Sequence, residues 1–329
     1  MNATEVNNMT SGGLLNPDEV RRRLESRLGP LHVRMRLGIE REHEAQAFGQ
    51  GLNFLHLENL PIMQAMIEIV LRATGTYWRG RANAAKVQLR RNTIRLASLP
   101  SAFDGFTILH LSDLHADLSG PAMQRVGELA HNLEYDLCVL TGDYRGRTYG
   151  NCEPCLEVVA RLREALRGDV YGVLGNHDSI ALVPDLEALG IRMLLNECVP
   201  IRCGPASIYL AGVDDAHFYR ADNLEKAAAD IPDGCVAVLL SHTPETYRQA
   251  AHAGFDLMLS RHTHGGQICL PGGVPILLEA DLPRAFSAGA WRHAGMAGYT
   301  SVGAGSSIVP VRLNNRPEIT LHQLMCGSL

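Results

Sequence analysis

Phe106-Thr107-Ile108-Leu109-His110-Leu111-Ser112-Asp113-Leu114-His115 is the stretch that decides the fold of this chain. Its first half is a short, mostly apolar run, and polar residues follow at once. A run this short and this apolar marks a strand buried on both faces. The same arrangement recurs along the sequence. Leu137 to Leu140 precedes Gly142-Asp143, and Val170 to Leu174 precedes Gly175-Asn176-His177-Asp178. Val236 to Leu240 precedes Ser241-His242, and Leu257 to Leu259 precedes Arg261-His262-Thr263-His264. Helical stretches separate the runs, at Pro121 to Leu133, Glu153 to Leu166 and Glu245 to Ala253. Strand and helix in alternation predict an α/β fold with a largely parallel sheet and helices packed on it. In such sheets polar residues gather beyond the carboxyl ends of the strands. The Asp, Asn and His residues of all five places fall there.

Seven of them are candidate metal ligands: Asp113, His115, Asp143, Asn176, His242, His262 and His264. Carboxylate, amide and imidazole groups suit manganese, iron or zinc. The set predicts a centre for two divalent ions. Such a pair clamps a phosphoryl group, and water held between the ions becomes a nucleophile near neutral pH. A bridging carboxylate lets the ions approach to about 4 Å. His177, beside Asn176, lies close without having to be a ligand, and is the candidate general acid. Asp178 is placed to orient that imidazole. A single Asp or His at a strand end is usually a cap or a solvated loop residue; the joint set departs from that pattern. His110, inside its run, reads as a core histidine. Asp214-Asp215, after the run Ile208 to Gly212, suit a turn or the site edge equally, so Asp215 is a candidate substrate contact. Asp117, His217 and Tyr219 are rim candidates.

Taken in order, Asp-x-His, Gly-Asp, Gly-Asn-His-Asp, a lone His and His-x-His resemble the calcineurin-like metallophosphoesterases. The resemblance runs from about Phe106 onward. It implies a layered β-sandwich flanked by helices. It also implies that Asp113, His115 and His264 hold one metal, that Asn176, His242 and His262 hold the other, that Asp143 bridges them, and that His177 is the acid. Gly303 to Leu324, with Pro310-Val311-Arg312 and Arg316-Pro317-Glu318-Ile319, resembles a branch of membrane-associated bacterial phosphodiesterases and UDP-2,3-diacylglucosamine pyrophosphatases of lipid A synthesis. The implied reaction is hydrolysis of a phosphodiester or pyrophosphate. Its substrate is either a nucleotide-linked lipid precursor at a membrane face or a small soluble ester. A metal-stabilised scaffold without turnover is the non-enzymatic alternative. One position departs from the pattern: Arg261 stands where the family has Gly. Glycine serves where the backbone needs an unusual torsion or a close approach. Arginine here either brings a guanidinium to a substrate phosphate or burdens the site.

Composition sets outer bounds. The chain has 329 residues and a net charge of −5, so no general nucleic-acid-binding surface is expected. Eight scattered cysteines suggest free thiols in a reducing, cytoplasmic setting. Cys152-Glu153-Pro154-Cys155 has no second pair with zinc-site spacing. No run reaches the roughly 18 apolar residues of a spanning helix, and no secretory pattern opens the sequence. Residues 1–15 read as a disordered tail, 16–100 as a helical and basic extension, and 101–329 as the catalytic domain. Asn16-Pro17-Asp18 starts one helix, to Leu28, and a second charged helix runs from His32 to about Gln46. Ile62, Met63, Met66, Ile67 and Val70 share one helical face, which must bury against something. From Trp78 to Arg95 there is no acid. An apolar helix followed by aromatic and basic residues suits peripheral contact of residues 60–95 with an anionic membrane. Packing of that helix on protein is the alternative.

Overall fold

The computed structural model describes residues 17–47, 61–276 and 280–327. The tail expected over residues 1–15 lies outside them. In chain order the elements are α1 (Pro17–Leu28), α2 (Pro30–Ala47), α3 (Pro61–Ala73), α4 (Tyr77–Ala84), β1 (Gln88–Leu96), β2 (Thr107–Leu111), α5 (Gly120–His131), β3 (Leu137–Thr141), α6 (Glu153–Ala165) and β4 (Val170–Val173). They continue with α7 (Val183–Ala188), β5 (Ile191–Met193), β6 (Glu197–Cys203), β7 (Ala206–Gly212), α8 (Leu224–Ala228), β8 (Ala237–Leu240), α9 (Tyr247–His252) and β9 (Leu257–Ser260). A two-stranded hairpin, β10 (Cys269–Leu270) and β11 (Val274–Pro275), precedes β12 (Gly289–His293), β13 (Met296–Thr300) and β14 (Glu318–Cys326). The stretch from Pro271 to His293 thus carries two strands.

Twelve of these strands form two sheets. One sheet has the order β1-β14-β2-β3-β4-β5, the other β12-β13-β9-β8-β7-β6. Strands β2 to β5 run parallel, as do β7, β8, β9 and β13. Alternate side chains of each strand point to opposite faces. Ile108, Val139 and Val173 of the first sheet meet Leu210, Val238, Leu240 and Leu259 of the second in the shared core. Leu109, Leu111, Cys138 and Leu140 face the other way, onto α1, α5 and α6. Ala211, Leu239 and Met258 pack beneath α8 and α9. A helix layer thus covers each outer face, and the strands are apolar on both sides. This is the layered, helix-flanked sandwich that the family resemblance implied.

The basic run before residue 100 is itself structural. Its residues 88–96 form β1, an edge strand lying parallel to β14. Helix α3 packs Ile67 and Leu71 against Val309, Val311 and Leu313. Helices α1 and α2 lie against the first sheet, with Leu24, Leu28 and Val33 in its outer core.

Candidate metal centre

The loops that leave β2, β3, β4, β8 and β9 converge. Asp113 N–H donates to Gly142 O at 3.0 Å, and His115 N–H to Asp143 O at 3.1 Å. Gly142 has φ +89°, and a Cβ there would stand 2.6 Å from Gly175 N, so two ligand loops touch through glycine backbone. Asp113, His115, Asp143, His262 and His264 all take positive φ, between 39° and 68°. Non-glycine residues rarely do so, and such strain concentrates at functional sites. Arg261 is not among the positive-φ residues. The unusual torsion expected at that position belongs instead to the histidines that follow it.

The structure brings all seven predicted ligands together. Asn176 Oδ1 lies 2.9 Å from His242 Nε2 and 3.1 Å from His262 Nδ1. Asp143 Oδ2 lies 3.4 Å from His242 Nε2 and 3.8 Å from His115 Nε2, so it stands between the two halves of the set. His115 Nε2 is 3.6 Å and His264 Nε2 3.3 Å from Asp113 Oδ2. Two imidazoles are turned by carbonyls. His115 Nδ1–H donates to Arg145 O at 2.7 Å, and His242 Nδ1–H to Thr141 O at 2.8 Å. Each then presents the Nε2 lone pair inward, the arrangement that outer hydrogen bonds impose on metal-binding histidines. His242 Nε2 consequently faces two acceptors, Asn176 Oδ1 and Asp143 Oδ2. Buried acceptors facing acceptors are costly unless a cation lies among them. The buried Nε2 atoms of His115 and His262 have no hydrogen-bond partner. These donors fit a divalent cation.

Electrostatics agree. Burial pushes the Asp143 carboxyl up, but His242, His177 and His115 outweigh it and hold the group well below the usual range. Burial opposes charge on His242, yet Asp143 raises that imidazole to about 9, so the space between Nε2 and the Asp143 carboxylate favours a positive charge, either a proton or a bound cation.

Residues 106–266 match the family model described as calcineurin-like phosphoesterase. The chain is 30% identical to the uncharacterized metallophosphoesterase YkoQ of Bacillus subtilis over 257 residues, 74% of this chain and 93% of that one. The chain belongs to the calcineurin-like phosphoesterases. It is also 29% identical over 242 residues to phosphodiesterase YaeI of Escherichia coli, covering 70% of this chain and 86% of that one. Metallophosphoesterase YkuE of Bacillus subtilis shares 27% over 248 residues, 72% and 85% of the two chains. With this membership and this donor set, the protein is a metal-dependent phosphoesterase.

Several side chains of the phosphoesterase take roles other than those expected. The Asp178 carboxylate accepts from the backbone N–H groups of Asp143, Tyr144, Arg145 and Gly175, at 2.7 to 3.3 Å. It pins the β3 loop to the β4 loop. Thr148 takes the place assigned to it, with Oγ1 2.9 Å from His177 Nδ1. The His177 backbone N–H donates to Asp143 Oδ1 at 3.0 Å. No spacing rule marks Thr148; only the path of the loop after β3 brings it there. Asp215 organises its loop, accepting from the N–H groups of His217, Phe218 and Tyr219. Of the rim candidates, His217 lies nearest the centre. Its ring is 4.1 Å from that of His262, and its Nδ1 is 2.8 Å from Glu245. Asp117 caps Gly146 N–H, and Tyr219 lies under the Arg36 guanidinium. His110 is a core histidine, 2.8 Å from Thr141 Oγ1.

Arg261 is the largest departure. Its side chain is wholly buried, and Nη1 is in contact with Asp113 Oδ2. Nη2 donates to Val302 O at 2.8 Å and lies 2.6 Å from His264 Nδ1. A guanidinium so enclosed does not reach out to grip a substrate phosphate, which corrects that expectation. The eight cysteines are all free, Cys152 and Cys155 included.

Proposed function

We propose that this phosphoesterase cleaves a phosphodiester or pyrophosphate bond in an amphiphilic substrate, a phosphoryl group joined to an apolar chain, at a membrane face. The observation that carries this is an apolar groove of about 400 Å³ that begins at His262 and His264. Met66, Ile67 and Val70 of α3 form one wall, and Ile268, Ile308 and Val309 the other. A phosphate at the ligands can therefore extend an acyl chain along α3 without meeting a charged side chain of the lining. Met66, Ile69, Val70 and Trp78 are 55 to 66% exposed at the groove mouth and beside it. Exposed apolar groups next to Arg79 and Arg81 suit the surface of an anionic bilayer. No helix among the described residues is long and apolar enough to cross a membrane. A nucleotide-linked lipid such as UDP-2,3-diacylglucosamine has the required chemistry.

Asp143, Asn176, His242 and His262 would hold a divalent ion, with manganese, iron and zinc all compatible with the donors. When bound, it supplies Lewis-acid polarisation of the phosphoryl oxygens and acidifies a water. His177 delivers a proton to the leaving oxygen, with Thr148 fixing its ring. Asp178 keeps the loops bearing Asp143 and Asn176 in register.

The test compares a lipid-linked pyrophosphate with bis(p-nitrophenyl) phosphate on the wild type and on Val70→Asp. The charge at the groove is expected to lower kcat/KM for the lipid substrate by at least about tenfold and to spare the small diester; one buried methylene alone is worth about that factor. Equal rates of the variant on both substrates overturn the amphiphilic reading and leave a phosphodiesterase of small esters.

A further inference from the structure

The seven ligands divide into two groups with unlike surroundings. Asp143, Asn176, His242 and His262 face one another. Asp113, His115 and His264 surround a guanidinium. Arg261 Nη1 touches Asp113 Oδ2 and lies 3.2 Å from His264 Nε2, while Nη2 is 2.6 Å from His264 Nδ1. Arginine has only donors and stays protonated in proteins. Guanidinium N–H groups thus face His264 at both ring nitrogens, Nδ1 at 2.6 Å and Nε2 at 3.2 Å, so neither ring nitrogen is open to a metal, and the same cation lies against Asp113 Oδ2.

The pocket for the guanidinium is built. Gly303 has φ +72°, and a Cβ on it would collide with the guanidinium. Val302 O accepts from it at 2.8 Å. Arg312 fills the space behind, its guanidinium held by Val302 O at 2.8 Å and by Gly305 O. The Gly-to-Arg departure in the sequence is thus matched by surroundings that receive it.

We propose that Arg261 is an internal cation that takes the place of one metal, so that the phosphoesterase carries a single divalent ion, at Asp143, Asn176, His242 and His262. This rests on the metal-centre reading above. The guanidinium lies against Asp113 and places a positive group beside the reacting phosphoryl group. It acts by position, not by contact with substrate.

The test is metal content by inductively coupled plasma mass spectrometry after equilibration with manganese and gel filtration. The wild type is expected to hold one ion per chain and Arg261→Gly two. His264→Ala is expected to keep the single ion and His242→Ala to lose it. The manganese EPR spectrum of the wild type, which needs no variant, is expected to be that of an isolated ion, and that of Arg261→Gly to show exchange coupling. Two ions or a coupled spectrum in the wild type, or one ion in a folded Arg261→Gly, overturns the proposal while the metal-centre reading stands. No metal in either protein overturns both.

Discussion

In the proposed mechanism His177 and Asp143 separate two jobs, proton delivery and ion holding. His177→Ala is expected to lower kcat by about 10²- to 10⁴-fold, the usual worth of a general acid, with metal content unchanged. Thr148→Val removes the group that fixes Nδ1 of that ring, so a smaller drop, about tenfold, is expected, together with a broadened pH profile of kcat. Asp143→Asn deletes the carboxylate between the two ligand groups; metal analysis is expected to find the ion lost and turnover gone. Retention of the ion by Asp143→Asn would remove Asp143 from the ligand set. The convergence of all seven candidate positions was legible in the sequence because strand ends in an α/β sheet have few places to go. Thr148, and the amide-binding role of Asp178, were not. Both depend on where loop backbone passes, and residue type alone does not encode that.

Helix α2 shows what sequence missed at the scale of elements. The sequence marked it only as a charged helix, yet Arg36 is fully buried and paired with Asp214 at 3.4 Å, and it donates to Asp178 O at 3.0 Å. On the next turn Glu40 accepts from Ser179 Oγ at 2.6 Å and Ile180 N–H at 2.8 Å. The helix therefore braces the loop that carries Asn176 and His177. Periodicity could not show this, because a charged face meets buried partners only when a distant segment supplies them. Arg36→Met leaves Asp214 buried without its partner, and a loss of about 3–5 kcal/mol of stability is expected in urea titrations. Burial raises Asp214, but Arg36 and His32 outweigh burial and leave it below its ordinary value. A depressed carboxylate stabilises the fold fully above the unfolded pKa, near pH 4, and loses that contribution as pH falls through the folded value. Limited proteolysis is therefore expected to cut α2 free in acid and not at pH 6. Asp214→Asn should be cut at both. Among the other early elements, α3 was expected to bury a wide face. It buries Ile67 and Leu71 and leaves Ile69 and Val70 in solvent.

For the molecule as a whole, a bound ion adds stability by mass action, about 2.7 kcal/mol at a hundredfold excess over Kd. Chelation is expected to lower Tm by a few degrees in differential scanning fluorimetry, and to leave Asp143→Asn unmoved. The layered sandwich was readable because apolar runs on both faces require covers on both faces. The closing of the first sheet was not, since β1 looked like a basic surface segment. Strand β14 pairs Glu318 with Gln88 on one side and Thr320 with His110 on the other. On the ribosome, the nascent chain carries β1 and the bare edge of β2 long before β14 exists. At about 5–20 residues per second that interval is on the order of tens of seconds. An uncovered edge strand for so long invites pairing with a neighbouring chain, so production of this enzyme should respond to chaperone supply and to slower, colder expression.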